Sequence, residues 1–126
     1  MKYSKLIEIA RNLYHLPVGR QKHFSFIMRK NKILSFGYNN SRKTDPLAAR
    51  FGHRFAAIHS EIMGVKNFQY PVGELENCTL INIRLLNDEG RSLALSRPCE
   101  FCQKLLGVFN LHTVIYSNEE GGFSTL

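Results

Sequence analysis

The chain has 126 residues, 44% of them hydrophobic, with 17 Lys and Arg against 10 Asp and Glu, a formal charge of +7 and an isoelectric point near 9.6. That length supports a single domain over residues 1–126 around one core and leaves no room for a second. No apolar run approaches the roughly 18 residues of a membrane span, and Met1-Lys2-Tyr3-Ser4-Lys5 leads into an amphipathic stretch rather than a signal-peptide core, so a cytoplasmic protein with no membrane partner is expected.

Leu6, Ile7, Ile9, Ala10, Leu13 and Tyr14 recur at spacings of three and four among charged neighbours, which predicts a helix over residues 3–14 that Pro17 and Gly19 terminate. His23 to Met28 and Ile33 to Tyr38 read as two strands joined by a tight turn at Arg29-Lys30-Asn31-Lys32, hence an antiparallel hairpin. Asn39 to Arg54 has no clear period and reads as a loop. It feeds a helix through Phe55-Ala56-Ala57-Ile58 into His59 to Val65. Cys78 to Leu86 is a strongly apolar strand in which Asn82 and Arg84 alternate, followed by a turn at Asn87-Asp88-Glu89-Gly90.

Pro98 suits the first position of a helix, where its missing amide hydrogen costs nothing, and the helical spacing continues to Phe109 with Asn110 as the stop. His112 to Ser117 is a further strand, and Phe123 to Leu126 is available for a short last one. The predicted class is α/β, a mixed sheet of four to five strands covered by helices. Strands flanking the Cys99 helix are expected to run parallel, as a helical crossover requires.

Chemistry concentrates in His59-Ser60-Glu61 and Pro98-Cys99-Glu100-Phe101-Cys102. Three cysteines, an odd number, suit a disulfide scaffold poorly, and a CxxC pair in a reducing compartment points to metal or redox work. Cys78 reads instead as a buried strand residue. One imidazole and two thiolates, from His59, Cys99 and Cys102, are a donor set that zinc accepts while keeping a fourth position for water. His59 and Glu61 cannot share the side of a helix, but they converge at a helix start, where the positive end of the peptide dipoles also favours thiolates. Glu61 is not needed as a ligand and is better placed as the group that moves protons. A structural zinc closed by a fourth ligand such as His53 is the competing account of the same residues.

These motifs resemble the zinc-dependent cytidine and deoxycytidylate deaminase superfamily, which shares the HxE and PCxxC signature. The similarity extends over the leading helix, the hairpin, Gly37-Tyr38-Asn39, His59-Ser60-Glu61, the middle strand, and Pro98 to Cys102 with the strand beyond. It implies a three-layer cytidine-deaminase-like fold and one zinc per chain on His59, Cys99 and Cys102. It implies Glu61 as general acid and base, and Asn39 as a contact to sugar or base, although asparagine is also a common turn former. Ser60 stands where many members have alanine, so its hydroxyl is expected near the base edge. Arg42, Lys43, Arg50, His53 and Arg54 form a basic loop beside the expected pocket, and Arg42 and Lys43 are candidates to hold a phosphate; a solvated loop explains them equally.

The expected substrate is a free cytosine nucleoside or nucleotide. Deamination of tRNA or single-stranded nucleic acid is the alternative, and a catalytically silent zinc-binding domain a third reading. Phe24, Phe26 and Phe36 are expected to build core rather than a base-stacking platform. The resemblance also implies a homo-oligomer, a dimer or tetramer.

Overall fold

The computed structural model of the protein describes residues 3–42 and 58–126. Helix α1 spans Ser4–Asn12, strands β1 and β2 span Lys22–Arg29 and Lys32–Tyr38, and helix α2 spans Ser60–Lys66. A 3-10 turn at Val72–Asn77 leads into β3 at Thr79–Leu85 and β4 at Leu93–Ala94. Helix α3 (Glu100–Val108), β5 (Thr113–Ser117) and β6 (Phe123–Thr125) complete the chain.

The strands form one mixed sheet in the order β2-β1-β3-β5-β6, with β4 paired to β3. β3 and β5, on either side of α3, run parallel, as expected of a helical crossover. The sheet has six strands rather than the four to five expected. The additional strand is Leu93–Ala94, too short for any hydrophobic period to show, and it exists because it pairs with Arg84 and Leu85.

Alternation along β1 and β3 divides the core. Phe24, Phe26, Met28, Ile81, Ile83 and Leu85 pack with Leu6 and Ala10 of α1 on one face, while Ile27 and Leu80 pack with Ile62, Val65, Leu105 and Leu106 of α2 and α3 on the other. The result is three layers, α1, sheet, α2 with α3. Phe24 and Phe26 are buried, and Phe36 lies 5.2 Å from Phe26 between ring centroids, so these aromatics are core on the α1 side.

Local chemistry sets the ends of the elements. Lys30 turns the hairpin at φ 55, and a bulge interrupts the ladder between Ile27 and Met28. Pro98, read as the first helical residue, instead precedes the cap: Cys99 is extended at φ −66, ψ 163, and its carbonyl accepts the first helical hydrogen bond, from Gln103 N at 2.9 Å. At the far end Asn110 adopts φ 60 and donates to Gly107 O, while Leu111 N donates to Leu106 O at 3.0 Å. That pair of bonds is a Schellman closure, with Leu106 and Leu111 both buried as its apolar contact.

Gly37 brings α2 onto the sheet. A Cβ there would lie 2.3 Å from both Gly64 N and Ser60 O, so only glycine admits the helix backbone this close. Asn67 Nδ2 donates to Phe36 O at 3.0 Å and Tyr38 N to Met63 Sδ at 3.3 Å, which fixes the rotation of α2 over β2.

Candidate active site and metal centre

Both motif-bearing helices begin on their first candidate ligand. His59 caps α2 in an extended conformation (φ −77, ψ 153) and accepts from Met63 N at 3.1 Å, as Cys99 caps α3. Cys102 is the third residue of α3, the position whose side chain turns back toward the cap, so a CxxC spacing from the cap brings both sulfurs together. Gln103 Nε2 donates to Pro98 O at 2.8 Å and pins the entry of this helix.

The structure brings His59, Cys99 and Cys102 into one cluster, their ligand atoms all within 4.8 Å of one another. His59 Nδ1 lies 3.1 Å from Cys102 Sγ and 3.8 Å from Cys99 Sγ. Around a tetrahedral zinc with bonds of about 2.0 to 2.3 Å, donors stand about 3.5 to 3.8 Å apart, so this set fits the ion with an opening of a few tenths of an ångström on the Cys102 side. Among the described residues no fourth His, Cys, Asp or Glu joins the cluster. His53, the candidate for a closed structural site, lies outside the described residues, as do Lys43, Arg50 and Arg54 of the basic loop.

Electrostatics within the cluster favour the anionic form of Cys99 and the neutral form of Cys102. The thiol of Cys102 donates to Cys99, and with help from His59 this holds Cys99 near 3 despite burial. The same hydrogen bond and burial push Cys102 up. His59 is raised by its hydrogen bond to Cys99 against the opposing effect of burial, with Glu61 adding to the rise.

Glu61 is buried beside the cluster. Its Oε2 accepts from Asn82 Nδ2 at 3.0 Å and its Oε1 lies 3.1 Å from Ser60 Oγ. Ser60 Oγ also lies 2.7 Å from Ser25 Oγ, so this hydroxyl is engaged with β1. A pocket of about 290 Å³ opens on these groups, lined by Gln21, His23 and Asn39, by Ile58 to Glu61, and by Ser96, Arg97 and Cys99, with Ser41 at its edge.

Asn39 lines the pocket and at the same time clamps its wall. Its Oδ1 accepts from His23 N at 2.9 Å and its Nδ2 donates to Gln21 O at 2.9 Å. Arg42 is exposed, with its backbone N bonded to Asn40 Oδ1 at 3.0 Å, and it is not among the pocket residues. Among the described residues, the arginine or lysine that lines the pocket is Arg97.

Sequence reasoning passed over Gln21, His23, Ser25, Ser96, Arg97 and the role of Asn82. Asn82 and Arg84 alternating in an apolar strand were the available signal: they share the α2 side of β3 with the buried Leu80. His23 sits opposite Arg84 in the ladder, and burial, Arg84 and His59 together lower it to about 4, so a neutral imidazole lines the pocket near pH 7. Arg84 Nε is buried without a hydrogen-bond partner.

No protein-family model and no curated protein sequence matches the chain. A solved structure of cytidine deaminase from Burkholderia pseudomallei is similar in fold, with a TM-score of 0.64 over 100% of this chain and 92% of that one, at 13% sequence identity. The described residues therefore share the fold of that enzyme.

Proposed function

We propose that the protein is a zinc-dependent hydrolase that deaminates a free cytosine nucleoside or nucleotide to the uracil product and ammonia. The observation that carries this reading is the convergence of His59, Cys99 and Cys102 with the buried carboxylate of Glu61 on one pocket. The fold shared with a cytidine deaminase supports it. A volume of about 290 Å³ suits one small ligand, at the lower end of ligand pockets.

His59, Cys99 and Cys102 would hold one zinc per chain. Zinc, when bound, supplies a Lewis acid that makes water a nucleophile at neutral pH. Glu61 does the proton work. It accepts a proton from the attacking water and passes it to the ring nitrogen next to the amino-bearing carbon. A carbon–oxygen bond forms, the carbon–nitrogen bond breaks, and the amine leaves as ammonia with a proton delivered through the same carboxylate. Asn39 holds the wall against which base and sugar lie, and the neutral His23 keeps that wall uncharged. Arg97 at the pocket and the charge of +7 favour a phosphorylated substrate.

Ammonia release and product mass are measured with the zinc-loaded protein on cytidine, deoxycytidine, their monophosphates, and single-stranded DNA and RNA. Turnover is expected on the free compounds, fastest on a monophosphate. Activity confined to strands would move the substrate to nucleic acid, and none on any cytosine or adenine compound would end the deaminase reading.

A further inference from the structure

Between α2 and the sheet lies a ring of four polar side chains at the floor of the pocket. Ser25 of β1 and Asn82 of β3 are direct partners in the antiparallel ladder, both buried, and both face α2. Ser25 Oγ donates to Asn82 Oδ1 at 2.6 Å, and Asn82 Nδ2 donates to Glu61 Oε2 at 3.0 Å and to Ser96 O at 3.2 Å. Ser60 is the fourth member, its Oγ 2.7 Å from Ser25 Oγ and 3.1 Å from Glu61 Oε1.

Hydrogen counting leaves the amide one orientation. Turned over, Asn82 would present its oxygen to a carboxylate and a carbonyl, two acceptors, and its NH₂ to Ser25. In the observed orientation the amide spends one hydrogen on Ser96 and one on Glu61, and its oxygen takes the only hydroxyl proton of Ser25. Ser25 can then only accept from Ser60, whose one proton serves either Ser25 or Glu61 Oε1, so the lasting hydrogen bond to the carboxylate is the one from Asn82. Every polar atom of Ser25 and Asn82 is committed, and the sum of those commitments is a single direction for the Nδ2–H that meets Glu61.

A buried polar group unrelated to function is readily replaced by an apolar one of similar shape, because the net gain from such networks is small beside the cost of desolvation. Here the same sheet face carries Ile27 and Leu80, each two residues from a member of the ring, so apolar side chains already fit this layer. Asn82 is also fastened from outside the ring. Ser96 Oγ donates to Asn82 O at 3.0 Å and lies 2.8 Å from Ser117 Oγ, which ties β3 to β5 and to the segment entering Cys99.

We propose that Asn82 and Ser25 are positioning residues that fix the carboxylate of Glu61, Asn82 by its direct hydrogen bond and Ser25 by orienting the amide. The proposal rests on the proton-carrying role given to Glu61 above. It assigns to a residue of the central strand the task of holding Oε2, so that the plane of the carboxylate is set before substrate enters. A carboxylate free to rotate would spend much of its time out of line with the reacting atoms, and misplacement of about an ångström is enough to slow catalysis a hundredfold.

Two readouts test it. In ¹⁵N–¹H spectra of the zinc-loaded protein, one Asn82 side-chain amide proton is expected at low field and slow to exchange, and it should move upfield in Glu61→Gln. An amide signal indifferent to Glu61→Gln overturns the ring, whatever the enzyme does. In steady-state assays, Ser25→Ala and Asn82→Asp are expected to lower kcat about ten- to a hundredfold with KM within about twofold and zinc content unchanged. Should Asn82→Asp fail to fold, Ser25→Ala, which removes one oxygen atom, still decides the matter. Unchanged kcat in Ser25→Ala, or a loss matched by lost zinc or raised KM, overturns positioning. A wild-type protein inert on every base compound that still shows the amide signature sinks the deaminase reading and upholds the fixed carboxylate; an active one without it sinks the ring alone.

Discussion

Glu61 has no role as a metal ligand in this arrangement, since its two oxygens face Asn82 and Ser60 while the nitrogen and sulfurs meet one another. Replacing it by glutamine should therefore keep one zinc per chain, measured by elemental analysis, and reduce kcat by about a hundredfold or more, the range lost when a positioned acid and base is removed. Cys102→Ala should lose the metal outright. The meeting of His59, Cys99 and Cys102, with Glu61 nearby, was legible in the sequence because donor chemistry is tied to residue type and short spacing. Ser60 was legible only in part. Its expected place at the base edge followed from its position between His59 and Glu61, but whether its hydroxyl faces pocket or sheet depends on Ser25, which is 35 residues away. No local pattern carries a partner at that distance.

At the level of elements, Gly37 is the described glycine with the closest backbone approach. Gly37→Ala places a methyl group against the backbone of Ser60 and Gly64 rather than against a flexible side chain, so the helix must move. A loss of about 2 kcal/mol or more in urea unfolding is expected, with zinc affinity reduced as well because the displaced helix begins at His59. Asn110→Val tests the other end of the site's architecture. A β-branched residue at φ 60 strains the closure of α3, with about 1 kcal/mol expected. Elements with a period long enough to see, such as α1 and the β1–β2 hairpin, were legible to within a few residues. β4 was not, since Leu93–Ala94 is a strand only by pairing with β3, and the caps at His59 and Cys99 depend on the chain leaving the helix as it enters.

For the molecule as a whole, acid should weaken the fold through His23. Its pKa falls from 6.5 to about 4 on folding, so between those values the unfolded chain binds more protons than the folded one and stability rises with pH. Its contribution is intact above pH 6.5 and is lost as the pH falls toward 4, by about 2 kcal/mol between pH 7 and pH 5. Unfolding of metal-free wild type and His23→Gln at the two pH values checks this, the variant showing the shallower dependence. Zinc acts on the same equilibrium from the other side: at a thousand times its dissociation constant a bound ligand adds about 4 kcal/mol, and a chelator should lower the melting temperature accordingly.

The parallel pairing of β3 with β5 has a consequence for how the protein is prepared. Its crossover is the segment that carries Cys99 and Cys102, and His59 is 40 residues upstream of Cys99, so the sulfurs meet the imidazole only through long-range contacts that the unfolded chain lacks. Until then two neighbouring thiols are open to air. Refolding from denaturant without a reductant should accumulate chains locked by a Cys99–Cys102 disulfide and unable to take up zinc, and a thiol reagent added before dilution should restore the yield.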